Sequence, residues 1–311
     1  MKNGLVLMLL VAIAATAAPK KAKKMAKPKV IGDKPDITRF EPRGVQTGFE
    51  TRVKLIGTNF IDLTEVKTSD PKLVAKLDGE SDEDVNEASI IVKASAGLKR
   101  GGYDVSVVNA KGESTKVKLY VDDIPQVDES DKPKPLKLPV AYWGTLNPAG
   151  NVDEVEFEAR AGQSLVLDMS TKSIGSKADA TITLLDSHGT LIEANSGFDG
   201  PEPLIAFTAP KTGRYKVQIK DTTATGSPEH TYRLTIGELP VVVAMSPLSV
   251  ATNQDRDIQL VGYNLHDAKV RVKPTKNGEM DLPIDIAKFR VRRALKLLVS
   301  DGPELVESEP N

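Results

Sequence analysis

Hydrophobic side chains in this sequence recur at every second position. Apolar residues alternate with polar ones in short runs that are separated by turn sequences such as Asn109–Gly112, Asp186–Gly189 and Pro210–Gly213. Alternation with a period of two is typical of strands that bury one face, and many short strands at regular spacing predict β-sandwiches. We therefore expect an all-β fold of tandem β-sandwiches. The clearest runs are Val53–Leu55, Val117–Leu119, Leu165–Leu167, Tyr215–Ile219 and Tyr232–Ile236.

Composition excludes several classes of function. The 311 residues include no cysteine, so a disulfide framework, a thiolate metal site and a cysteine nucleophile are excluded. The three histidines lie far apart in the sequence and offer little for histidine-based catalysis or zinc binding. The 42 basic and 43 acidic residues nearly cancel, but residues 1–34 hold eight lysines and one acid. The remainder is therefore acidic, which argues against nucleic acid as a partner.

The N-terminus has the three parts of a secretory signal. Lys2 precedes an apolar run at 5–15, and Ala15-Thr16-Ala17 forms a small-x-small cleavage site. The run is too short to span a bilayer, so we expect no transmembrane segment after removal of the signal peptide at 1–17. The protein is predicted to be exported to the periplasm, the cell surface or the medium.

A lysine-rich segment, residues 18–34, follows the signal peptide. Such a run either binds an anionic envelope surface or forms a solvated, disordered leader.

Breaks in the alternation divide the rest of the chain into three units. A linker rich in proline and charge is predicted at 123–135, and a second break falls at Gly237–Pro240. The predicted units are 36–122, 136–238 and 240–305. Six of nineteen residues are identical between Pro42–Phe60 and Pro247–Leu265 without a gap, so the first and third units are expected to be the same kind of module.

Two tyrosines follow glycine turns in the same way. Gly101-Gly102-Tyr103-Asp104-Val105 and Gly213-Arg214-Tyr215-Lys216-Val217 share the pattern G-x-Y-x-V. A tyrosine that enters a strand in this position forms the corner of Greek-key sandwiches, where its hydroxyl bonds back to nearby backbone. We predict this structural role for both tyrosines.

The first unit contains Val53–Phe60, which ends in Gly-Thr-Asn-Phe, and Gly101–Asn109. In these two elements it resembles the IPT/TIG immunoglobulin-like domain. The third unit, with Gly262-Tyr263-Asn264-Leu265 but no closing G-x-Y, resembles a shortened relative. The resemblance implies immunoglobulin-like sandwiches on either side of the second unit.

The second unit contains six features in order: Gly144–Leu146, Val152–Phe157, Ala161–Gln163, Leu184–Gly189, Pro210–Tyr215 and Tyr232–Ile236. In these features it resembles the bacterial pre-peptidase C-terminal (PPC) domain, a β-sandwich appended to secreted proteases and other envelope proteins. Residues 306–311 resemble the acidic lead-in of such a domain, so we expect them to start a further linker or a truncated module.

The PPC resemblance implies one candidate metal site. Some PPC domains bind calcium through an acidic lead-in and an early-strand aspartate, and the corresponding residues here are Glu129, Asp131 and Asp153. Calcium prefers six to eight oxygen ligands, several of them carboxylates. However, Asp131-Lys132-Pro133 stands where the family has Glu-Pro-Asn, so a solvated linker is the alternative. No other cofactor is expected.

No motif in the sequence predicts catalysis. The serines lack a G-x-S-x-G setting, and His188, His230 and His266 each lie near turn sequences. We therefore expect a non-catalytic exported scaffold, adhesion or binding protein whose partner is an envelope or extracellular protein or glycan. The alternatives are the accessory N-terminal portion of a secreted hydrolase, such as a peptidase, and a polysaccharide-binding module in which Tyr142 and Trp143 stack on sugars rather than pack in a core.

Overall fold

The computed structural model describes residues 33–79, 85–131, 135–198 and 200–302. Within these ranges the chain forms strands and two short 3₁₀ helices, and no α-helix, which confirms the predicted all-β class. No helix among these residues has the length and hydropathy needed to cross a bilayer. The predicted signal peptide, most of the basic leader and the segment 306–311 lie outside the described residues.

Nine strands between residues 36 and 122 form the first module. One sheet has the order β1-β3-β6-β5 and the other the order β2-β9-β7-β4, with β8 paired to β7. Val53 and Leu55 on β3 are fully buried between the sheets, while Lys54 points outward to Glu87, as the alternation predicts. The strands are β1 (Asp36–Glu41), β2 (Gly44–Gln46), β3 (Glu50–Thr58), β4 (Glu65–Thr68), β5 (Leu73–Leu77), β6 (Glu87–Ala94), β7 (Gly101–Asn109), β8 (Gly112–Glu113) and β9 (Val117–Asp122).

The second module is the largest sandwich. Its sheets have the orders β10-β11-β18-β13-β16 and β12-β17-β14-β15, and the core between them includes Phe157, Phe207 and Tyr215, whose rings contact one another. The 3₁₀ helices are Glu129–Asp131 and Lys172–Ile174. The strands are β10 (Gln126–Asp128), β11 (Val140–Thr145), β12 (Val152–Ala159), β13 (Ser164–Ser170), β14 (Ala180–Leu185), β15 (Leu191–Asn195), β16 (Leu204–Thr208), β17 (Gly213–Asp221) and β18 (Thr231–Gly237).

The third module is a shorter sandwich. Its sheets have the orders β22-β21-β19-β24 and β20-β25-β23. Buried Val250, Ile258, Leu260, Leu297 and Val299 contribute to its core. The strands are β19 (Val241–Ser246), β20 (Ser249–Ala251), β21 (Arg256–Tyr263), β22 (Lys269–Val272), β23 (Gly278–Asp281), β24 (Arg290–Val291) and β25 (Lys296–Ser300).

The segment predicted as a linker is built into the second module. Ile124 is buried, and β10 pairs in parallel with β11, with Val127 opposite Tyr142. The chain therefore passes from the first module to the second through a hydrogen-bonded strand rather than through a solvated spacer.

The structure repeats along with the sequence in the first and third modules. β1 pairs with β3 and β19 pairs with β21 in the same antiparallel register, and each pair has its irregularity at the same place. Asn59 and Asn264 both have positive φ, and their side-chain amides donate to the corresponding carbonyls of Lys34 and Leu239, at 3.3 and 3.2 Å. The matched asparagines are therefore explained by a turn that each module needs.

The matched glycines have a steric cause. A Cβ on Gly57 would lie 2.0 Å from the carbonyl oxygen of Asp36, and a Cβ on Gly262 would lie 2.0 Å from that of Val241. These distances are too short for any side chain, because the oxygen belongs to the backbone of the paired strand.

Gly57→Ala is expected to lower the free energy of unfolding of the protein by about 3 kcal/mol, since overpacking against backbone forces the strands apart. Chemical denaturation followed by circular dichroism measures the change. Gly213→Ala is the matched control, because nothing lies within 4 Å of its Cβ position. An equal loss in both variants would contradict the steric explanation.

Both predicted tyrosine corners are present. The Tyr103 hydroxyl donates to the carbonyl of Lys99 at 2.8 Å, and the Tyr215 hydroxyl donates to that of Lys211 at 2.7 Å. Each bond runs back four residues from the start of a strand, which confirms the predicted structural role.

Tyr215→Phe is expected to cost about 1 kcal/mol of unfolding free energy, because it removes one hydrogen bond and leaves the buried ring in place. Tyr103→Phe should cost a similar or smaller amount, since Tyr103 is less buried. Tyr263→Phe serves as the control, because its ring contacts Phe198 and its hydroxyl makes no hydrogen bond to any residue that the structure describes. A control loss as large as that of Tyr215→Phe would refute the corner as the cause.

Candidate functional site

A cleft of about 480 Å³ lies between the first and second modules. The end of β1 and the turn after it supply the charged residues Arg39, Glu41 and Arg43. The start of the second module supplies carboxylates from two separate segments: the end of β10 with the 3₁₀ helix that follows it, and the start of β12. The lining residues are Arg39, Glu41, Arg43, Asp128, Glu129, Gly144, Thr145, Asn147, Asn151, Asp153 and Pro228.

Two of the three carboxylates in the calcium prediction line this cleft. Glu129 and Asp153 both face it, while Asp131, at the far end of the 3₁₀ helix, is exposed and is not among the lining residues. Asp128, which belongs to the same acidic lead-in, also lines the cleft but was not among the predicted ligands. Its position in the same acidic run as Glu129 was the available signal, and the parallel pairing of β10 with β11 decides which members of the run face the cleft.

Each cleft carboxylate accepts hydrogen bonds from its own module. Asp128 Oδ1 accepts from the backbone N–H and the hydroxyl of Ser130. Glu129 Oε2 accepts from the backbone N–H of Thr145 at 3.0 Å. Asp153 accepts from the Asn151 amide at 3.0 Å and from the buried Tyr232 hydroxyl at 2.7 Å. These donors fix the carboxylates in place.

Burial and neighbouring charge shift the pKa values in the cleft. Burial raises the pKa of Glu129, and Asp153 and Asp128 act in the same direction, against the Thr145 N–H bond. Burial also raises the pKa of Tyr232 well above its usual value, and the hydrogen bond to Asp153 adds to this shift. Tyr232 is therefore held as a neutral hydrogen-bond donor.

The two arginines of the cleft differ in whether a carboxylate is paired with them. Arg39 is paired with Glu41 at 2.8 Å. Burial lowers the pKa of Arg43, while Asp128 acts to raise it. Among the described residues, no carboxylate oxygen lies within 4.0 Å of the Arg43 guanidinium. A ligand in the cleft can therefore contact both this positive charge and the negative charges of the nearby carboxylates. The cleft is thus suited to binding by ionic and hydrogen-bonding contacts.

The calcium hypothesis stays a prediction. Among the residues that the structure describes, no three histidine, aspartate or glutamate side chains are grouped as a metal ion requires. The bonds above also occupy carboxylate oxygens that a cation would need.

If calcium binds here with a millimolar Kd, a tenfold excess over that Kd should stabilise the fold by about 1.4 kcal/mol. Melting curves with and without calcium measure this, and Asp153→Ala is expected to abolish the shift, because Asp153 is a predicted ligand that lines the cleft. An unchanged melting temperature in millimolar calcium would rule the site out.

The second junction feature is an aromatic contact. Trp143 lies on the outer face of the second module, yet it is 1% exposed because the Tyr120 ring of the first module covers it at 5.2 Å between centroids. Arg233 lies over the Trp143 ring, and Trp143 Nε1 donates to Gln126. Tyr142 points to the other side, into the core. Both rings are therefore buried, which agrees with packing rather than with the alternative of sugar stacking for Tyr142 and Trp143.

Ion pairs join all three modules. Arg290 of the third module binds Asp122 at the end of β9 through both terminal nitrogens, at 2.7 and 3.1 Å, and also contacts Asp123. Arg100 of the first module binds Asp123 and donates to carbonyls of the third module, including that of Phe289. Arg292 of the third module is in turn paired with Asp168 of the second at 3.2 Å, so that ion pairs fix the three sandwiches against one another.

Three tandem β-sandwiches, fixed by polar and aromatic junctions, define the architecture of this protein. The second sandwich contains a bacterial pre-peptidase C-terminal domain, since residues 152–221 match that family. The match covers strands β12 to β17 and confirms the PPC resemblance for this module. The IPT/TIG resemblance of the other two modules stays a prediction.

Several solved structures share local similarity with the chain. The pre-peptidase C-terminal domain of a collagenase from Bacillus anthracis is 14% identical and covers 36% of this chain and 92% of its own, with a TM-score of 0.27. The secreted serine protease VesC from Vibrio cholerae is 11% identical, with 63% of this chain and 48% of its own covered and a TM-score of 0.24. SGBP-B from a xyloglucan utilization locus in Bacteroides uniformis is 8% identical, with 66% and 73% covered and a TM-score of 0.23. No curated protein matches the sequence.

Proposed function

We propose that this protein is an exported, non-catalytic scaffold of the cell envelope that binds an envelope or extracellular protein or glycan in the cleft between its first two modules. The signal-like N-terminus supports export. The PPC domain supports a role as an accessory or binding module. The repeated strand register and turns support the assignment of the outer modules to one IPT/TIG-like type.

The observation that carries this proposal is the construction of the cleft. Arg43 comes from one module and Asp128, Glu129 and Asp153 from the next, so the cleft exists only while the modules keep their relative position. The contact between Tyr120 of the first module and Trp143 of the second holds that position. A rigid junction that presents opposite charges at fixed spacing suits recognition of a ligand that carries both charges or several hydrogen-bonding groups.

The test is capture of envelope material by the immobilised mature chain, compared between variants. Arg43→Ala is expected to abolish capture, because it removes the cation that faces Asp128 and Glu129. Lys93→Ala is the matched control, since Lys93 is exposed on β6. Equal capture by the wild type and both variants would remove the cleft from the proposal, and no capture by the wild type would refute the binding role.

A second candidate function is supported by the PPC match, which places a domain of the pre-peptidase type in the chain. In this alternative the chain is the accessory portion of a secreted hydrolase. An increase in peptidase activity of the envelope fraction on addition of the folded chain would favour the accessory role, whereas unchanged activity would favour the scaffold.

A further inference from the structure

Two exposed leucines form an apolar surface on the third module. Leu248 is 69% exposed and Leu298 is 51% exposed, the highest and fourth-highest values among the described large apolar residues. They are neighbours, since the backbone N–H of Leu298 donates to the carbonyl of Leu248 at 3.0 Å. We refer to Leu248 and Leu298 as the leucine surface.

The repeat identifies the counterparts of these leucines in the first module. β2 pairs in parallel with β9, with Gly44 opposite Tyr120, and β20 pairs in parallel with β25, with Ser249 opposite Leu298. The N–H of Tyr120 donates to the carbonyl of Arg43 at 3.0 Å, as the N–H of Leu298 does to that of Leu248. Leu298 therefore corresponds to Tyr120, and Leu248 corresponds to Arg43.

A charged pair and a loop bond confirm the alignment of the two sheets. Lys118 on β9 is paired with Asp104 on β7 at 2.8 Å, and Lys296 on β25 is paired with Asp281 on β23 at 2.6 Å. The N–H groups of Thr47 and Thr252 each donate to the last residue of the neighbouring strand at 2.8 Å. The correspondence thus extends over the whole sheet around the leucine surface.

In the first module the second module covers this surface. The Tyr120 ring contacts Trp143, and the Tyr120 hydroxyl donates to the carbonyl of Ile174. Gly44 lies so close to Gln126 and Trp143 that a Cβ would be 2.4 and 2.8 Å from their side-chain atoms. The equivalent surface of the third module carries Leu248 and Leu298 in place of Arg43 and Tyr120, and both leucines are exposed.

The sequence after each of the two sheets is also repeated. Residues 123–131 read DIPQVDESD and residues 301–309 read DGPELVESE, with Asp, Pro, Glu and Ser identical at the same four of nine positions. In the first case this sequence leads from β9 into the second module through β10. The same kind of lead-in thus follows the last strand of the third module.

We propose that the leucine surface is the docking surface for a further PPC-type β-sandwich, which is entered through residues 301–309 and packs the outer face of its sheet on Leu298, as the second module packs on Tyr120. Burial of two exposed leucines supplies the driving force for this contact. The proposal goes beyond the binding cleft, which lies on other modules, and does not depend on its ligand.

One substitution changes the fit at this surface. Ser249 stands where the first module has Gly44, so its Cβ occupies space that Gln126 and Trp143 take up at the first junction. A copy of the second module should therefore dock best on a chain that carries Ser249→Gly.

The test is a longer chain in which residues 132–238 are appended after Glu309, so that 301–309 serves as the lead-in. The protein has a single tryptophan, and Trp143→Phe in the original second module leaves the appended copy as the only one. With Ser249→Gly, the appended tryptophan is expected to be shielded from acrylamide within about twofold of Trp143 in the wild type. Leu298→Lys should increase its quenching severalfold.

Val261→Lys is the matched control, because Val261 is 43% exposed on the other sheet of the third module, and it should leave the quenching unchanged. Leu298→Lys in the original chain should not alter its melting temperature, which separates docking from a role in the fold. Circular dichroism establishes that the appended module is folded. Free quenching of the appended tryptophan in the folded chain, or quenching unaffected by Leu298→Lys, would overturn the proposal.

Discussion

Replacing Arg290 by methionine is expected to lower the free energy of unfolding by about 3–5 kcal/mol, because removal of one partner leaves a buried charge without compensation. Asp122 is 2% exposed, and Arg290 holds both of its carboxylate oxygens. Chemical denaturation of the full chain measures the loss. Arg271→Met is the control, since Arg271 is exposed and its ion pair with Asp257 is long at 3.6 Å, so that its loss should cost less than about 1 kcal/mol. Equal, small losses in both variants would show that the third module is not fixed by this contact.

The same ion pair predicts a dependence on pH. Burial acts to raise the pKa of Asp122, but the hydrogen bonds from Arg290 outweigh it and lower the pKa to about 2. A carboxyl group whose folded pKa is below its unfolded value near 3.9 stabilises the fold above that value, and the stabilisation is lost as the pH falls towards 2. The difference in unfolding free energy between wild type and Arg290→Met should therefore be full above about pH 4 and shrink below it. A difference that stays constant down to pH 2 would contradict the assignment to Asp122.

Trp143→Ala is expected to cost about 3–5 kcal/mol, the range for truncation of a large buried aromatic. The change empties the junction between the first two modules and removes the donor that Trp143 Nε1 provides to Gln126. Because Tyr120 then loses its partner ring, calorimetry should show weaker coupling between the first and second modules, as a broader transition with a lower midpoint. Phe198→Ala is the control, as Phe198 is 40% exposed and should cost less than about 1 kcal/mol. A single transition with an unchanged midpoint would mean that Trp143 does not couple the modules.

The leucine surface and the cleft are two forms of one junction. At the first junction the residues after β1 and on β9 contact the second module, with Arg43 beside the cleft and Tyr120 beneath Trp143. At the corresponding positions the third module has Leu248 and Leu298. The charged cleft is therefore a property of the first junction alone, whereas the docking surface is a property of the repeated sheet.

Sequence reasoning found the features that depend on near neighbours in the chain. The tyrosine corners involve residues four apart, and a G-x-Y pattern reports them directly. The repeat between Pro42–Phe60 and Pro247–Leu265 follows from a turn and a close strand crossing that each module builds within a short segment. Glu129 and Asp153 were found because a family resemblance pointed to them, and the structure places both in one cleft.

Long-range packing decided the rest. The proline-rich segment has the composition of a linker. In the structure, however, Ile124 packs in a buried apolar cluster between modules, and β10 pairs with the edge strand β11. Arg290 reads as one more surface cation, and only the fold brings it to Asp122 from the far end of the chain. The Trp143 side chain lies on the outer face of its own sheet, away from the core of the second module, and it is buried only because the first module covers it.

The sequence by itself determined that this chain is β-structured, that it consists of repeated and unrelated sandwiches, and where their turns and corners lie. The alternation of apolar residues, the positions of glycines and the hydrogen bonds of turns and tyrosine corners each involve only a few consecutive residues, so the sequence pattern reports them directly. The tertiary structure decided which charges are paired, which aromatic rings are buried between modules and where a cleft opens. Those outcomes depend on how separately folded surfaces meet, and residue types alone do not specify that relation.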